Sequence, residues 1–338
     1  MNVNKLLATT SLAAVAAATL MVASGIPAFA QTKTVTIDGS STVFPMSEAI
    51  AEEFQKANKG QIRVTVGISG TGGGFKKFCR GETDISNGSR PILKSEIEDC
   101  KKAGIEFVEL PLAFDALTVA VSPSNNFIGE CITVAELKKI WEPSAQGKVM
   151  NWSDVNAKWP NQKMSLFGAG ADSGTFDYFT EAVTGKAKSS RGDFTASEDD
   201  NVLVTGIEKD PNSLGYIPYA YYAPHARQMK ALAVDGGKGC VKPSLEAVTA
   251  GTYNPLGRPL FIYVSKKAAE KPEVKQYVEF AMTKGTPLIS EVKYLPLPQK
   301  AYDSALKHFK DGRVGSVFGG VPEIGVSIDE LMKRDAKN

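Results

Sequence analysis

The chain has 338 residues, 43% of them hydrophobic, and a formal net charge of +2. That much apolar material is ample for a packed core and suits two structural units. The near balance of charge excludes recognition of nucleic acid or of an anionic membrane surface through net charge, so any electrostatic function has to be local.

Residues 1–30, "MNVNKLLATTSLAAVAAATLMVASGIPAFA", carry one early cation, Lys5, then an uncharged apolar stretch. A Gly25-Ile26-Pro27 break and an Ala28-Phe29-Ala30 ending follow. This is the pattern of a cleavable secretory signal, which puts the start of the mature chain at Gln31. No later run is long and apolar enough to span a bilayer. Four cysteines follow the signal, Cys79, Cys100, Cys131 and Cys240. In an exported chain an even number favours disulfides, and sequence alone allows three pairings. Close C-x-x-C pairs are missing and the histidines are His225 and His308, so neither a metal centre nor another cofactor is expected.

Strands then alternate with helices. "KTVTID" and "IRVTVGIS" have the β-branched pattern of strands, while "PMSEAIAEEFQKAN" places Met46, Ile50, Ala51 and Phe54 on one helical face. Next come "IEFVELPLAFDALTVAVSP", read as an extended apolar pair of strands, a helix "TVAELKKIW", and a loop "EPSAQGKVMNWSD". A strand "KMSLFGAG" leads into "SGTFDYFTEAVTG"; "SLGYIPYAYY" and "PLFIYVS" read as further strands, and "EVKQYVEFAMTKG" as a helix. This is the grammar of an α/β protein.

Three strand-to-helix loops share one chemistry. "DGSSTVFP" (residues 38–45), "SGTGGGF" (69–75) and "GAGADSGTF" (168–176) each join small residues to hydroxyls at the start of a helix. There the backbone N–H groups lack intrahelical partners and the dipole end is positive, so an anion can bind. Glycine lets the backbone approach a ligand, and serine and threonine add neutral O–H donors. Taken singly, Ser41, Thr42, Ser173 or Thr175 could be a helix cap. Three such loops together suit an anion held by neutral donors in a nearly neutral protein.

A fourth segment, "GETDISNGSRPI" (81–92), ends a short strand in Ser89 and Arg90, and Pro91 holds Arg90 extended. The arginine fork can bind two oxygens of an oxyanion. Asp172, within "ADSGT", reads as a helix-start acid, as an acceptor for a proton still carried by the ligand, or as a carboxylate that orients Arg90.

With "GSSTVFP", "SGTGGGF", "DISNGSRPI" and "GADSGTFDYF" in this order, and "NWSDVNAKWPNQK" in between, the chain resembles the periplasmic phosphate-binding protein, the substrate-binding component of phosphate ABC transporters. The similarity runs from about residue 35 to about residue 265. It implies an α/β, two-lobed periplasmic binding protein fold of type II, with a two-crossing hinge and an interlobe ligand cleft. Residues 31–118 would start lobe 1, residues 119–255 form lobe 2, and residues 256–338 return to lobe 1. The resemblance also implies a monomer in the periplasm that binds inorganic phosphate and delivers it to membrane permease subunits, with no enzyme activity. Its binding set maps onto Ser41, Thr42, Thr71 with neighbouring Ser69, Ser173, Gly174 and Thr175, and the reading of the residues adds Ser89, Arg90 and Asp172 to it.

Two departures stand out. The best-known members have an aspartate where this chain has Arg90, and an arginine a few residues before "SGT" where it has Ala169. We read this as an exchange that keeps one guanidinium and one carboxylate, Asp172, at the site. With crossings near residues 117–121 and 253–262, Cys79 and Cys100 fall in lobe 1 and Cys131 and Cys240 in lobe 2, which implies those two pairings. The alternatives are another tetrahedral oxyanion such as sulfate or molybdate, a secreted hydrolase, or an adhesion protein on the same fold. The hydrolase is disfavoured because no G-x-S-x-G elbow or phosphate-cradling P-loop is present and His225 has no evident acid partner.

Overall fold

In the computed structural model, residues 33–321 and 323–337 are described. The signal-peptide expectation for residues 1–30 and the mature start at Gln31 lie outside the described residues.

The first seven elements are β1 (Lys33–Gly39), α1 (Phe44–Ala57), β2 (Ile62–Val66), α2 (Gly70–Phe78), β3 (Ile85–Gly88), α3 (Lys94–Lys102) and β4 (Phe107–Val121). Then follow β5 (Cys131–Thr133), α4 (Val134–Trp141), α5 (Trp152–Val155), β6 (Ser165–Ala169), α6 (Gly174–Thr184), β7 (Thr195–Ser197), α7 (Asp200–Lys209), β8 (Ser213–Pro218) and α8 (Tyr219–Tyr222). After β9 (Lys230–Ala231), β10 (Ala233–Asp235), β11 (Cys240–Val241) and α9 (Leu245–Thr249), the chain forms β12 (Gly257–Ser265). It closes with α10 (Pro272–Thr283), α11 (Thr286–Glu291), β13 (Leu295–Pro296), α12 (Gln299–Asp311) and α13 (Ile328–Lys337).

The long strand β4 runs from one α/β lobe into the other. The sheet order is β2-β1-β3-β12-β4-β8-β6-β7, with β9 and β13 also on β4. Strands β1, β2 and β3 are parallel, as βαβ crossovers require, and β12 runs antiparallel to β3 and β4. Residues 107–116 of β4 pair with β12, and from Leu117 the same strand pairs with β8 in the second lobe. The expected pair of strands here is therefore one fully buried strand that changes partner midway. Pro111 does not break it because it stands at a bulge of β4, where Leu112 has no register partner between Pro111↔Phe261 and Ala113↔Leu260 and a missing N–H is tolerated. "SLGYIPYAYY" also departs from expectation: its strand ends at Pro218, and Tyr219–Tyr222 turn into α8.

Helix α1 buries Met46, Ile50, Ala51 and Phe54, the residues of its predicted apolar face. The C-terminal helices return to this lobe, α10 and α11 against α1 and α12 against β4. Disulfide Cys79–Cys100 ties the end of α2 to α3, and Cys131–Cys240 ties β5 to β11 across β10. These are the two pairings that the lobe organisation implies.

Candidate anion-binding site

The first wall is the turn after β1. Phe44 N donates to Ser40 O at 3.0 Å, and Val43 N donates to Ser40 Oγ at 3.4 Å. Ser40 thus shapes the turn, Val43 is the N-cap of α1 without a side-chain bond, and Ser41 and Thr42 are not caps at all. Both are buried. Their carbonyls are anchored by tyrosines: Tyr294 Oη donates to Thr42 O at 2.6 Å, and Tyr221 Oη, from the second lobe, donates to Ser41 O at 3.0 Å. Held this way, the two hydroxyls are left to face the interior.

Two further segments complete the lining. Thr71, in the first turn of α2, shares a 3.1 Å hydroxyl bond with Ser89 Oγ and accepts from Ser89 N at 3.1 Å. Across the cleft, Ser173 caps α6 by accepting from Thr175 N at 3.1 Å, and Thr175 Oγ1 lies 2.9 Å from Thr42 Oγ1. Between them Gly174 meets the other lobe so closely that a Cβ there would sit 2.6 Å from Ser89 Oγ, nearer than real Cβ contacts come. Only glycine allows this approach. Gly70 has the same role at the rim, with φ +73° and a would-be Cβ 2.7 Å from Glu198 Oε2.

The base of the cleft is a buried ion pair on the two hinge strands. Arg258 on β12 and Asp115 on β4 are direct register partners, and both are wholly buried. Arg258 donates to Asp115 Oδ2 from Nε at 3.1 Å and from Nη2 at 2.8 Å. Nη2 also donates to Thr175 Oγ1 at 3.0 Å and Thr42 Oγ1 at 3.3 Å, so one guanidinium touches hydroxyls of both lobes. Nη1 reaches Ser89 O at 3.4 Å, and the Tyr178 ring lies 5.7 Å from the guanidinium carbon. Burial raises the Asp115 carboxyl above its ordinary range, with Arg258 pulling against it. A second buried acid, Asp200, stands at the start of α7, and burial pushes it up to about 7, with Ser41 and Arg258 pulling against that shift.

The structure therefore brings Ser41, Thr42, Thr71, Ser89, Ser173, Gly174 and Thr175 together, and places three expected residues elsewhere. Arg90 is spent on acids: Nε donates to Asp177 Oδ2 at 2.7 Å, and Nη1 and Nη2 donate to the two oxygens of Glu96 at 2.8 and 2.7 Å. Its Nη1 also reaches Pro91 O. Asp172 is at the half-exposed rim, 2.7 Å from Lys76 Nζ, and neither caps α6 nor orients Arg90. Its carbonyl accepts from Gly72 N at 2.8 Å, a backbone bond across the cleft. Ser69 is half-buried and its hydroxyl donates to Asp38. The guanidinium of the cluster is Arg258 and its acids are Asp115 and Asp200, none of them singled out from the sequence. Arg258 and Asp115 carried a signal nonetheless: each is the lone charge in an apolar run, "RPLFIYVS" and "LPLAFDALTVAV". His225 does have an acid partner, Glu208 Oε1 at 2.6 Å, on the surface of lobe 2 and outside this cluster.

Chemically, the arrangement offers several neutral O–H groups, a helix N-terminus and one guanidinium whose charge Asp115 balances. Such a site can replace the hydration of a small oxyanion without stacking positive charge.

Residues 27–284 match the family described as PBP superfamily domain. Protein SphX of Synechococcus elongatus is 51% identical over 312 residues, covering 92% of this chain and 91% of that protein. The phosphate-binding protein PstS of Staphylococcus saprophyticus is 36% identical over 270 residues, 78% of this chain and 81% of that one. Among solved structures, a possible phosphate binding protein from Planctomyces limnophilus is 46% identical with a TM-score of 0.62, covering 83% of this chain and 99% of its own. A putative phosphate ABC transporter substrate-binding protein from Clostridium perfringens, solved with bound phosphate, has the same fold, with a TM-score of 0.66 at 24% identity over 79% of this chain and 100% of that one.

Proposed function

This chain belongs to the PBP superfamily and, within it, to the PstS-like phosphate-binding proteins, and on that premise we propose that it captures inorganic phosphate in the interlobe cleft and delivers it to an ABC transporter permease. It acts outside the cytoplasm as an exported monomer, without catalysis and without a cofactor. Phosphate meets the donors of one lobe, and the closed form is then favoured because it adds the donors of the other. Ser41, Thr42, Thr71 and Ser89 serve from the first lobe, Ser173, Gly174 and Thr175 from the second, and Arg258 from the hinge between them.

The observation that carries this reading is Arg258, wholly buried and in contact with hydroxyls of both lobes. A ligand bound there senses both lobes at once, which is what coupling capture to closure requires. Arg258→Lys keeps the charge and loses the fork, removing charge-assisted hydrogen bonds worth roughly 1.5–3 kcal/mol each. Titration calorimetry with phosphate should then find affinity lowered by about a hundredfold. Absence of phosphate binding by the unaltered protein would sink the proposal. Sulfate is the alternative that the same donors fit, and competition against labelled phosphate separates the two.

A further inference from the structure

The segment that joins α12 to α13 is anchored on the first lobe. Gly315 N donates to Phe107 O at 2.9 Å, Val317 N donates to Glu109 Oε1 at 2.9 Å, and Gly320 O accepts from Lys94 N at 3.0 Å. Phe318 packs edge-on against Phe261 of β12, with ring centroids 5.7 Å apart. Farther along, the same segment meets the second lobe, where Gly325 N donates to Tyr178 Oη at 2.9 Å. Tyr178 is on α6, one helical turn after Thr175, so it moves with the helix whose N-terminus lines the cleft.

Tyr178 is buried, and its single O–H proton is shared between two carbonyls of the second crossing, Gly257 O at 2.7 Å and Pro255 O at 3.1 Å. Gly257 immediately precedes Arg258, and the Tyr178 ring lies 5.7 Å from the carbon of that guanidinium. One phenol thus ties together α6, the hinge backbone next to Arg258 and the C-terminal segment. Burial raises the phenol well above its ordinary range, so the O–H stays in place through the physiological pH range.

We propose that Tyr178 is a positioning residue for phosphate retention, and that the segment between α12 and α13 is a strap fastened to it when the cleft is closed. The strap is a third connection between the lobes, beside β4 and the crossing that leads into β12. It is fixed to the first lobe at Phe107, Glu109 and Lys94, whereas α6 travels with the second, so rotation of the second lobe away from the first draws Tyr178 Oη from Gly325 N. Opening therefore costs this fastening in addition to the bonds made to the ligand, and the ligand leaves more slowly. Gly325, Pro255 and Gly257 are not among the hydroxyls of the lining, so capture by the open form is left as it is. This inference rests on the phosphate reading above and names what holds that site shut.

Tyr302 supplies the control. It is similarly buried and makes the same kinds of bond, accepting from Leu297 N and donating to Leu112 O, both at 2.9 Å, but wholly within the first lobe. Release of labelled phosphate into an excess of unlabelled phosphate, and its association, are measured for the unaltered protein, Tyr178→Phe and Tyr302→Phe, each beside a urea denaturation curve. Tyr178→Phe should release phosphate about tenfold faster with association within about twofold of the unaltered rate. Tyr302→Phe should lose comparable stability and release phosphate at the unaltered rate. Hydrogen exchange at Gly325 in the unaltered protein is the second reading, which needs no variant to fold: phosphate should slow it by about tenfold or more. Release from Tyr178→Phe within about twofold of the unaltered rate, equal acceleration in Tyr302→Phe, or exchange at Gly325 indifferent to phosphate would each overturn the strap and leave the phosphate reading standing. If labelled phosphate does not bind the unaltered protein, that reading falls and takes this inference with it.

Discussion

Two of the buried arginines, Arg258 and Arg90, do opposite things. Arg258 has a single acid, Asp115, and spends the rest of its fork on Thr42, Thr175 and the Ser89 carbonyl. Arg90 has two acids, Glu96 from its own lobe and Asp177 from α6 of the other, with Lys188 Nζ 3.9 Å from Asp177. An incoming oxyanion would find hydroxyls around the first and carboxylates around the second. Burial of a guanidinium therefore says little about ligand binding; the groups that share its fork decide it. Arg90 instead works as a clasp, because its pair with Asp177 forms only when the lobes are together.

The comparison can be broken most forcefully at Arg258. Arg258→Ala strands Asp115 in the interior, which costs about 3–5 kcal/mol of stability. Phosphate affinity should fall by about a thousandfold or more, read by calorimetry beside a denaturation curve. Gly174→Ala leaves both arginines in place and attacks the approach of the lobes, since its methyl would overlap Ser89 Oγ. We expect about a hundredfold loss of phosphate affinity with little change in melting, because the overlap arises only on closure.

pH sharpens the comparison at the Arg258 centre. The folded Asp200 carboxyl titrates at about 7, against about 3.9 for an unfolded aspartate. Between those values the folded state holds a proton that the unfolded state has lost, so stability falls as pH rises through that window. Asp200→Asn removes this penalty: it should be stabilising by about 4 kcal/mol at about pH 8 and nearly neutral at about pH 4, measured by urea denaturation.

At the other centre, Asp177→Asn keeps the shape and removes the charge that Arg90 meets across the cleft. Closure is weakened without touching the hydroxyls, and about tenfold lower phosphate affinity is expected, carried by faster release. The smallest effect belongs to the rim. Lys76→Ala breaks a solvent-screened pair with Asp172 and should change affinity and stability by less than about 0.5 kcal/mol.

Much of this was legible in the residues. The alternation of strands and helices, and the three hydroxyl-bearing loops, follow from local pattern, and the structure brings those loops together. What local pattern could not convey was which polar side chains meet across lobes. Arg90 stands beside Ser89 in one motif, which on sequence points both at the ligand, yet the two side chains have different partners. Arg258 and Asp115 are 143 residues apart and pair only because β12 and β4 lie side by side in register. A lone charge in a continuous apolar run needs a buried partner, and two such runs of opposite sign were present. Asp200 was hidden differently: in "SEDDN" it looks like one more helix-start acid, and only the fold buries it.

The most direct test is a crystal structure of the protein with phosphate. The account predicts phosphate density enclosed between the lobes, with oxygens within hydrogen-bonding distance of Arg258 and of hydroxyls from both walls, Thr42 and Thr175 among them. Phosphate bound instead at Arg90, or held by one lobe with Arg258 turned away, would contradict it.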